Sequence, residues 1–156
     1  MRYFAYGSNM DWRQMQQRCP TARFVAVGVA RGYRLAFTRH SPRRCCGVAD
    51  MIVDARSEVW GAIFEIGACD LANLDRCEGY CPDRPASQNG YARRQLSVRI
   101  AHRRSAPVPV YSYFVIDKLA SPATPSATYR QHLLDGARHW RLPPAYIQQL
   151  ERIEVA

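Results

Sequence analysis

Residues 59–66, Val59-Trp60-Gly61-Ala62-Ile63-Phe64-Glu65-Ile66, carry apolar side chains on both sides of a period-two repeat, with Trp60, Ala62 and Phe64 on one side and Val59 and Ile63 on the other. A run of this length apolar on both faces reads as a strand covered from both sides, so it is expected at the centre of a sheet. Upstream, Phe24 to Ala30 and Tyr33 to Thr38 are β-rich runs parted only by Arg31-Gly32, a gap that predicts a tight antiparallel hairpin. Val48 to Val53 is a further strand, reached through an arginine-rich loop over 39–46. Downstream, from Tyr91 to Ile100, polar Arg93, Gln95, Ser97 and Arg99 alternate with apolar Leu96, Val98 and Ile100, giving a strand with one wet face. Val108 to Ile116 is another strand, and Pro107 and Pro109 put its start at an edge.

Helices flank these runs. Residues 2–6 read as a short strand that stops at Gly7, and Met10 to Arg18 as a helix ended by Pro20. Asp70 is expected to cap a short helix that Gly79 terminates, followed by a loop over Pro82 to Gly90. Thr124-Pro125 supplies a cap and a first-turn proline for a helix whose Tyr129, Leu133, Ala137 and Trp140 form one apolar stripe. A last helix spans Pro144 to Glu154. The expected fold is α+β, a small, mainly antiparallel β-barrel of about six or seven strands with flanking helices.

A chain of 156 residues suits one compact domain over 1–156, since it buries roughly two thirds of its unfolded surface. With 47% hydrophobic and 22% charged residues, and no apolar run near the length of a membrane span, the composition is that of a water-soluble globular protein. The opening Met1-Arg2-Tyr3-Phe4-Ala5-Tyr6 turns polar too soon for a secretory signal, so the cytoplasm is the expected compartment. Six cysteines, Cys19, Cys45, Cys46, Cys69, Cys77 and Cys81, are then expected as free thiols. They act as small apolar fillers, or, for Cys77 and Cys81, as a redox-sensitive pair; no paired C-x2-C motif points to zinc, and no metal is expected. The net charge of +9 attracts anions. Its arginines are scattered, with short clusters at Arg39 to Arg44, Arg93-Arg94 and Arg103-Arg104 and no nucleic-acid module around them. The expectation is a solvated face that assists an anionic substrate, with no nucleic-acid or membrane partner, in a monomer or homodimer.

Two features carry chemistry. Glu78, at helical spacing, points between Leu71 and Leu74, which sets a carboxylate on an apolar stripe. Either it reaches solvent or an arginine at a frayed helix end, or it is buried, and burial raises its pKa toward neutrality. The second feature is Tyr6-Gly7-Ser8-Asn9, where a strand ends in glycine before a helix. Such a junction is either a plain turn or a cradle of backbone N–H groups for an anion or oxyanion.

Tyr3-Phe4-Ala5-Tyr6-Gly7-Ser8-Asn9-Met10 resembles the opening signature of the γ-glutamylcyclotransferases and their AIG2-like relatives. Further similarities follow in the family's order: Glu58 to Phe64 with its Val-Trp-Gly strand, Leu74-Asp75-x-x-Glu78-Gly79 with its catalytic helix end, Tyr91-x-Arg93, and Tyr111-Ser112-Tyr113. A helix from Tyr129 through Gly136-Ala137 to Leu142-Pro143 completes them. Each motif is weak alone, but together they span almost the whole chain. The resemblance implies a small β-barrel with helices, Glu78 as the general acid/base, and Tyr3, Phe4, Ala5, Tyr6, Gly7, Ser8 and Asn9 as the substrate-binding loop. It also implies that Tyr91 and Tyr129 line the pocket. Where this chain departs from the family, with a long stretch from Tyr80 to Gly90, the loop is expected to lie over the pocket.

The implied reaction uses no cofactor, metal or water. The substrate's α-amino group attacks its own γ-carbonyl, closing 5-oxoproline and expelling an amine or amino acid, as in glutathione metabolism. Ser8 is expected to act through the loop rather than as a nucleophile, since no His or Asp partner is indicated. Open alternatives are a sister activity on glutathione or a γ-glutamyl-protected biosynthetic intermediate, and a non-catalytic γ-glutamyl-binding module.

Overall fold

The computed structural model describes residues 1–103 and 106–156, so Arg104 of the Arg103-Arg104 cluster lies outside the described residues. Among these residues five strands, β1 (Arg2–Ala5), β2 (Arg23–Ser41), β3 (Cys46–Glu65), β4 (Tyr91–Ile100) and β5 (Val108–Val115), close into a barrel in the order β1-β3-β2-β4-β5. Every pairing is antiparallel except the seam, where β1 meets β5 in parallel through Tyr3 and Tyr111.

The expected six or seven strands are thus five, because two pairs of short strands are each one long strand. No hairpin forms at Arg31-Gly32. Gly32, at φ +81°, stands where the β2–β3 register shifts between Arg31 and Tyr33, and the chain passes through a bulge instead of turning back. Opposite it, residues 54–57 of β3 are drawn out between the partners of Arg31 and Tyr33, and Asp54 folds them by accepting from Ser57 Oγ and the Arg56 N–H. The true hairpin tip is the arginine-rich loop, bounded by the Ser41–Cys46 pair.

As its two apolar faces imply, β3 is central, with Ala62 to Glu65 paired to β1 on one side and to β2 on the other. Val59, Ile63 and Phe64 are fully buried, each contributing about 1.5–3 kcal/mol by leaving water.

Among the described residues, four α-helices pack around the barrel: α1 (Trp12–Arg18), α2 (Ala68–Cys77), α3 (Ala127–His139) and α4 (Pro144–Glu151). Asp11 caps α1 by accepting from the N–H groups of Arg13 and Gln14. Asp70 does not cap α2, which starts after Gly67. It lies in the first turn and accepts from the N–H and hydroxyl of Thr21, tying α2 to the segment between α1 and β2. Gly79, at φ +65°, ends α2 as expected, its N–H donating to the Arg76 carbonyl while Tyr80 N–H donates to that of Asp75. The cap of α3 is Ser126, which accepts from Tyr129 N–H, in place of Thr124-Pro125.

The apolar stripe of α3 turns inward as its spacing requires, with Tyr129, Leu133 and Ala137 buried and the Trp140 ring stacked 4.1 Å from that of Phe24. Gly136 lets this helix press on the 3-10 turn Ser8–Met10, since a Cβ there would lie 2.4 Å from the Met10 carbonyl carbon. Among the described residues, no helix is long and apolar enough to cross a membrane.

Candidate active site

At the C-terminal end of β1 the chain passes through Tyr6 and Gly7 into the turn Ser8–Met10, closed by Met10 N–H donating to Gly7 C=O and Asp11 N–H to Ser8 C=O. These are the bonds of a 3-10 turn, and they leave its leading amides over. The N–H groups of Gly7, Ser8 and Asn9 donate to no protein acceptor among the described residues. Tyr3, Tyr6, Gly7, Ser8 and Asn9 border one small cavity of about 30 Å³ together with Glu78, Tyr91 and Tyr129. Phe4 and Ala5 do not border it. Phe4 is turned into the core against Gly61, because neighbouring side chains on a strand face opposite ways.

Glu78 is the residue at which α2 stops, and its side chain is only 16% exposed. It is neither frayed into solvent nor free of partners. Its Oε1 accepts from Asn9 Nδ2 at 3.0 Å and Arg18 Nη1 at 2.9 Å, while Oε2 accepts from no described residue. Burial raises the Glu78 pKa, and Arg18, then the Asn9 hydrogen bond, oppose the rise. Asn9 is spent on protein: its amide nitrogen also donates to the Tyr3 hydroxyl, and its oxygen accepts from Gln14 and Arg18. It positions the carboxylate.

The cavity wall is built from tyrosines whose hydroxyls are fixed. Tyr91 donates to the Ala49 carbonyl and Tyr129 accepts from the Ala49 N–H, so one residue of β3 holds both. Tyr6 donates to the Tyr113 carbonyl, and the Tyr113 hydroxyl donates to Asp75, which Arg93 also grips. Burial pushes the hydroxyls of Tyr3, Tyr6, Tyr91, Tyr113 and Tyr129 above the ordinary phenol range. All five stay protonated near neutrality, and Glu78 is the one carboxylate among the residues bordering the cavity. Ser8 Oγ accepts from Gln14 Nε2 at 2.9 Å, a side-chain partner rather than the loop backbone, and no described carboxylate or imidazole hydrogen-bonds to it.

The stretch from Tyr80 to Gly90 does not cover this cavity. Gly90 N–H donates to the Gly79 carbonyl and Asn89 is bonded to Cys81 and Arg84, so the loop closes on itself and stands aside. Tyr80 packs instead against Tyr113 and the Arg93 guanidinium. All six cysteines are unpaired.

Arg18, Gln14, Asp75 and Tyr113 escaped the site as read from sequence. Asp75, Arg93 and Tyr113 lay within quoted motifs, so their juxtaposition was the missing part. Arg18 and Gln14 carried no signal beyond the polar side of a short helix. Arg44 stood in the basic run 39–44, and its guanidinium now approaches Ser8 and lies over the Tyr129 ring.

Known proteins resemble this chain in sequence and in fold. The sequence model of the AIG2-like family matches residues 58–150. The γ-glutamylcyclotransferase of Mus musculus is 27% identical over 156 residues, covering 97% of this chain and 78% of the mouse protein. The Homo sapiens γ-glutamylcyclotransferase matches with the same identity and coverage. A solved structure described as a γ-glutamyl cyclotransferase superposes with a TM-score of 0.88 at 26% identity, covering 100% of this chain and 89% of that one.

Proposed function

Because the chain belongs to the AIG2-like family of the γ-glutamylcyclotransferase superfamily, we propose that residues 1–156 form one catalytic domain converting a γ-glutamyl amino acid or amine to 5-oxoproline and the free amino acid or amine. The observation that carries this reading is a lone carboxylate, Glu78, in a cavity whose tyrosines remain neutral and whose bordering residues Gly7, Ser8 and Asn9 have backbone N–H groups with no protein acceptor among the described residues.

In this reading Glu78 Oε2 takes a proton from the substrate's α-ammonium, freeing the amine to attack the γ-carbonyl carbon. One C–N bond forms as the ring closes. The ring nitrogen gives up a second proton as the tetrahedral intermediate collapses and the bond to the departing nitrogen breaks, and both protons, relayed by Glu78, end on that nitrogen, which leaves as an ammonium. Atoms balance without water. Internal attack brings an effective molarity that supplies roughly 7–11 kcal/mol when the reacting atoms are held in line. The N–H groups of Gly7, Ser8 and Asn9 favour the oxyanion or the substrate carboxylate. Tyr3, Tyr6, Tyr91, Tyr113 and Tyr129 wall the space and hold the substrate bent. The exposed thiols of Cys45 and Cys69 suit a reducing compartment, and the cytoplasm is the compartment in this reading.

The test is release of 5-oxoproline by the purified protein from a panel of γ-glutamyl amino acids, γ-glutamyl amines and glutathione, with a chelator present and no nucleotide added. Activity on at least one member supports the proposal. Binding of a panel member by folded protein with no 5-oxoproline from any of them would favour a non-catalytic γ-glutamyl-binding module.

A further inference from the structure

Past Glu78 the cavity continues outward into a vestibule of about 200 Å³, the two spaces sharing Ser8, Glu78, Tyr91 and Tyr129. Five arginines border it. Arg18 and Arg76 come from the ends of α1 and α2, and Arg39, Arg43 and Arg44 from the β2–β3 hairpin, while Glu78 is the one carboxylate. Arg18 pairs with Glu78, but among the described residues Arg39, Arg43, Arg44 and Arg76 have no carboxylate within ion-pair distance.

Two of these cations are held in place by the walls of the reaction cavity itself. The Arg39 guanidinium lies 5.9 Å from the centre of the Tyr91 ring, and that of Arg44 lies 5.1 Å from the centre of the Tyr129 ring. Gln14 fixes Arg44 further by accepting from its Nη2. The guanidiniums of Arg39 and Arg44 are half-buried and lose hydration, and with the exposed Arg43 and Arg76 beside them and no counter-charge they are repelled, which costs stability unless an anion completes the group. A guanidinium is also a planar fork that matches a carboxylate through two hydrogen bonds.

Building on the cyclotransferase reading, we infer that the vestibule receives the departing half of the substrate, and that this half is an acidic amino acid with two carboxylates. Arg39 and Arg44 bind those carboxylates and Arg43 and Arg76 supply the surrounding field. The preferred substrates are therefore γ-glutamyl-diacids, and a departing half that carries an ammonium in place of a carboxylate is repelled.

The experiment compares γ-glutamyl-glutamate, γ-glutamyl-alanine and γ-glutamyl-alaninamide, whose departing halves carry two, one and no carboxylates. At low salt kcat/KM is expected to fall by about tenfold or more at each loss, the factor that one charge-assisted hydrogen bond supplies. The spread should narrow as salt rises. Replacing Arg39 and Arg44 together by Met is expected to flatten the ranking, chiefly through KM. A wild-type ranking flat to within about twofold, or led by the alaninamide, overturns the assignment. Calorimetric binding of the same compounds to Glu78→Gln separates this inference from the reading beneath it. If binding keeps the ranking while the wild type yields no 5-oxoproline, cyclotransfer fails and the vestibule stands. If 5-oxoproline is released with no ranking by charge, the vestibule fails alone, and if none of the three binds, the vestibule fails while the wider panel decides cyclotransfer.

Discussion

Arg18 Nη1 lies 2.9 Å from Glu78 Oε1, joining the last turn of α1 to the end of α2 across 60 positions of sequence. Burial favours the protonated carboxyl and the guanidinium favours the carboxylate, so this contact sets how far the Glu78 pKa rises. Both ends of the proposed proton cycle, taking and giving, depend on that balance.

Replacing Arg18 by Met removes the opposing cation, so the Glu78 pKa should climb further. The acid limb of the kcat/KM profile is expected to move to higher pH, and Arg18→Lys should bring it part of the way back. An unshifted limb in Arg18→Met, with the protein folded, would mean that Glu78 is not the titrating group.

Glu78→Gln keeps the side chain's volume and its acceptor oxygen but cannot carry a proton. Turnover on whichever substrate the panel identifies should drop by at least about 10²-fold, the usual worth of general acid/base catalysis. Binding measured by calorimetry should persist. Near-native turnover in the folded variant would end the role proposed for Glu78.

The same variant makes a stability prediction with a definite sign. Folding raises the Glu78 pKa, so the folded state holds that proton more tightly than the unfolded chain does. The stability it contributes is complete below the unfolded value, about 4.3, and is lost as pH rises through the folded value. Glu78→Gln escapes that loss. Its Tm relative to wild type should therefore increase as pH is raised from about 4 to about 7. A Tm difference that is constant over this range would contradict a burial-raised pKa.

Ser8→Ala removes a hydroxyl that accepts from Gln14 but leaves the backbone N–H groups of the turn in place. Its loss in kcat is expected to stay well below that of Glu78→Gln. Equal damage from the two variants, or an acyl-enzyme trapped on Ser8 and seen by mass spectrometry, would make Ser8 a nucleophile.

Gly136→Ala tests how the substrate loop is held. The added methyl would strike Met10 backbone at 2.4 Å, forcing α3 away from the Ser8–Met10 turn, at a cost of about 1–3 kcal/mol. Thermal unfolding should shift down by roughly 2–4 °C for each kcal/mol. KM should rise as the turn loosens. An unchanged Tm would show that the contact relaxes without strain.

What the sequence alone determined was local and periodic. The two apolar faces of Val59 to Ile66 made that segment a central strand, the stripe on α3 was legible in its spacing, and Gly79 marked the end of α2. The ordered motifs identified the family, and Glu78 stood out as a carboxylate on an apolar stripe. Tertiary structure decided the rest. Whether Arg31-Gly32 turned back or bulged depended on residues 54–57 of the partner strand, which no local pattern around Gly32 contains. Asp70 and Thr124 have the chemistry of caps, but Thr21 engages Asp70 and Ser126 takes the cap of α3. The meeting of Arg18 with Glu78, the grip of Asp75 on Tyr113, and the gathering of arginines from α1, α2 and the hairpin all join distant segments. The physical reason is one of range. Propensity and periodicity record what a residue does to its own few neighbours, whereas the pKa of a carboxylate and the charge of a cavity are sums over groups that only barrel closure brings within a few ångströms.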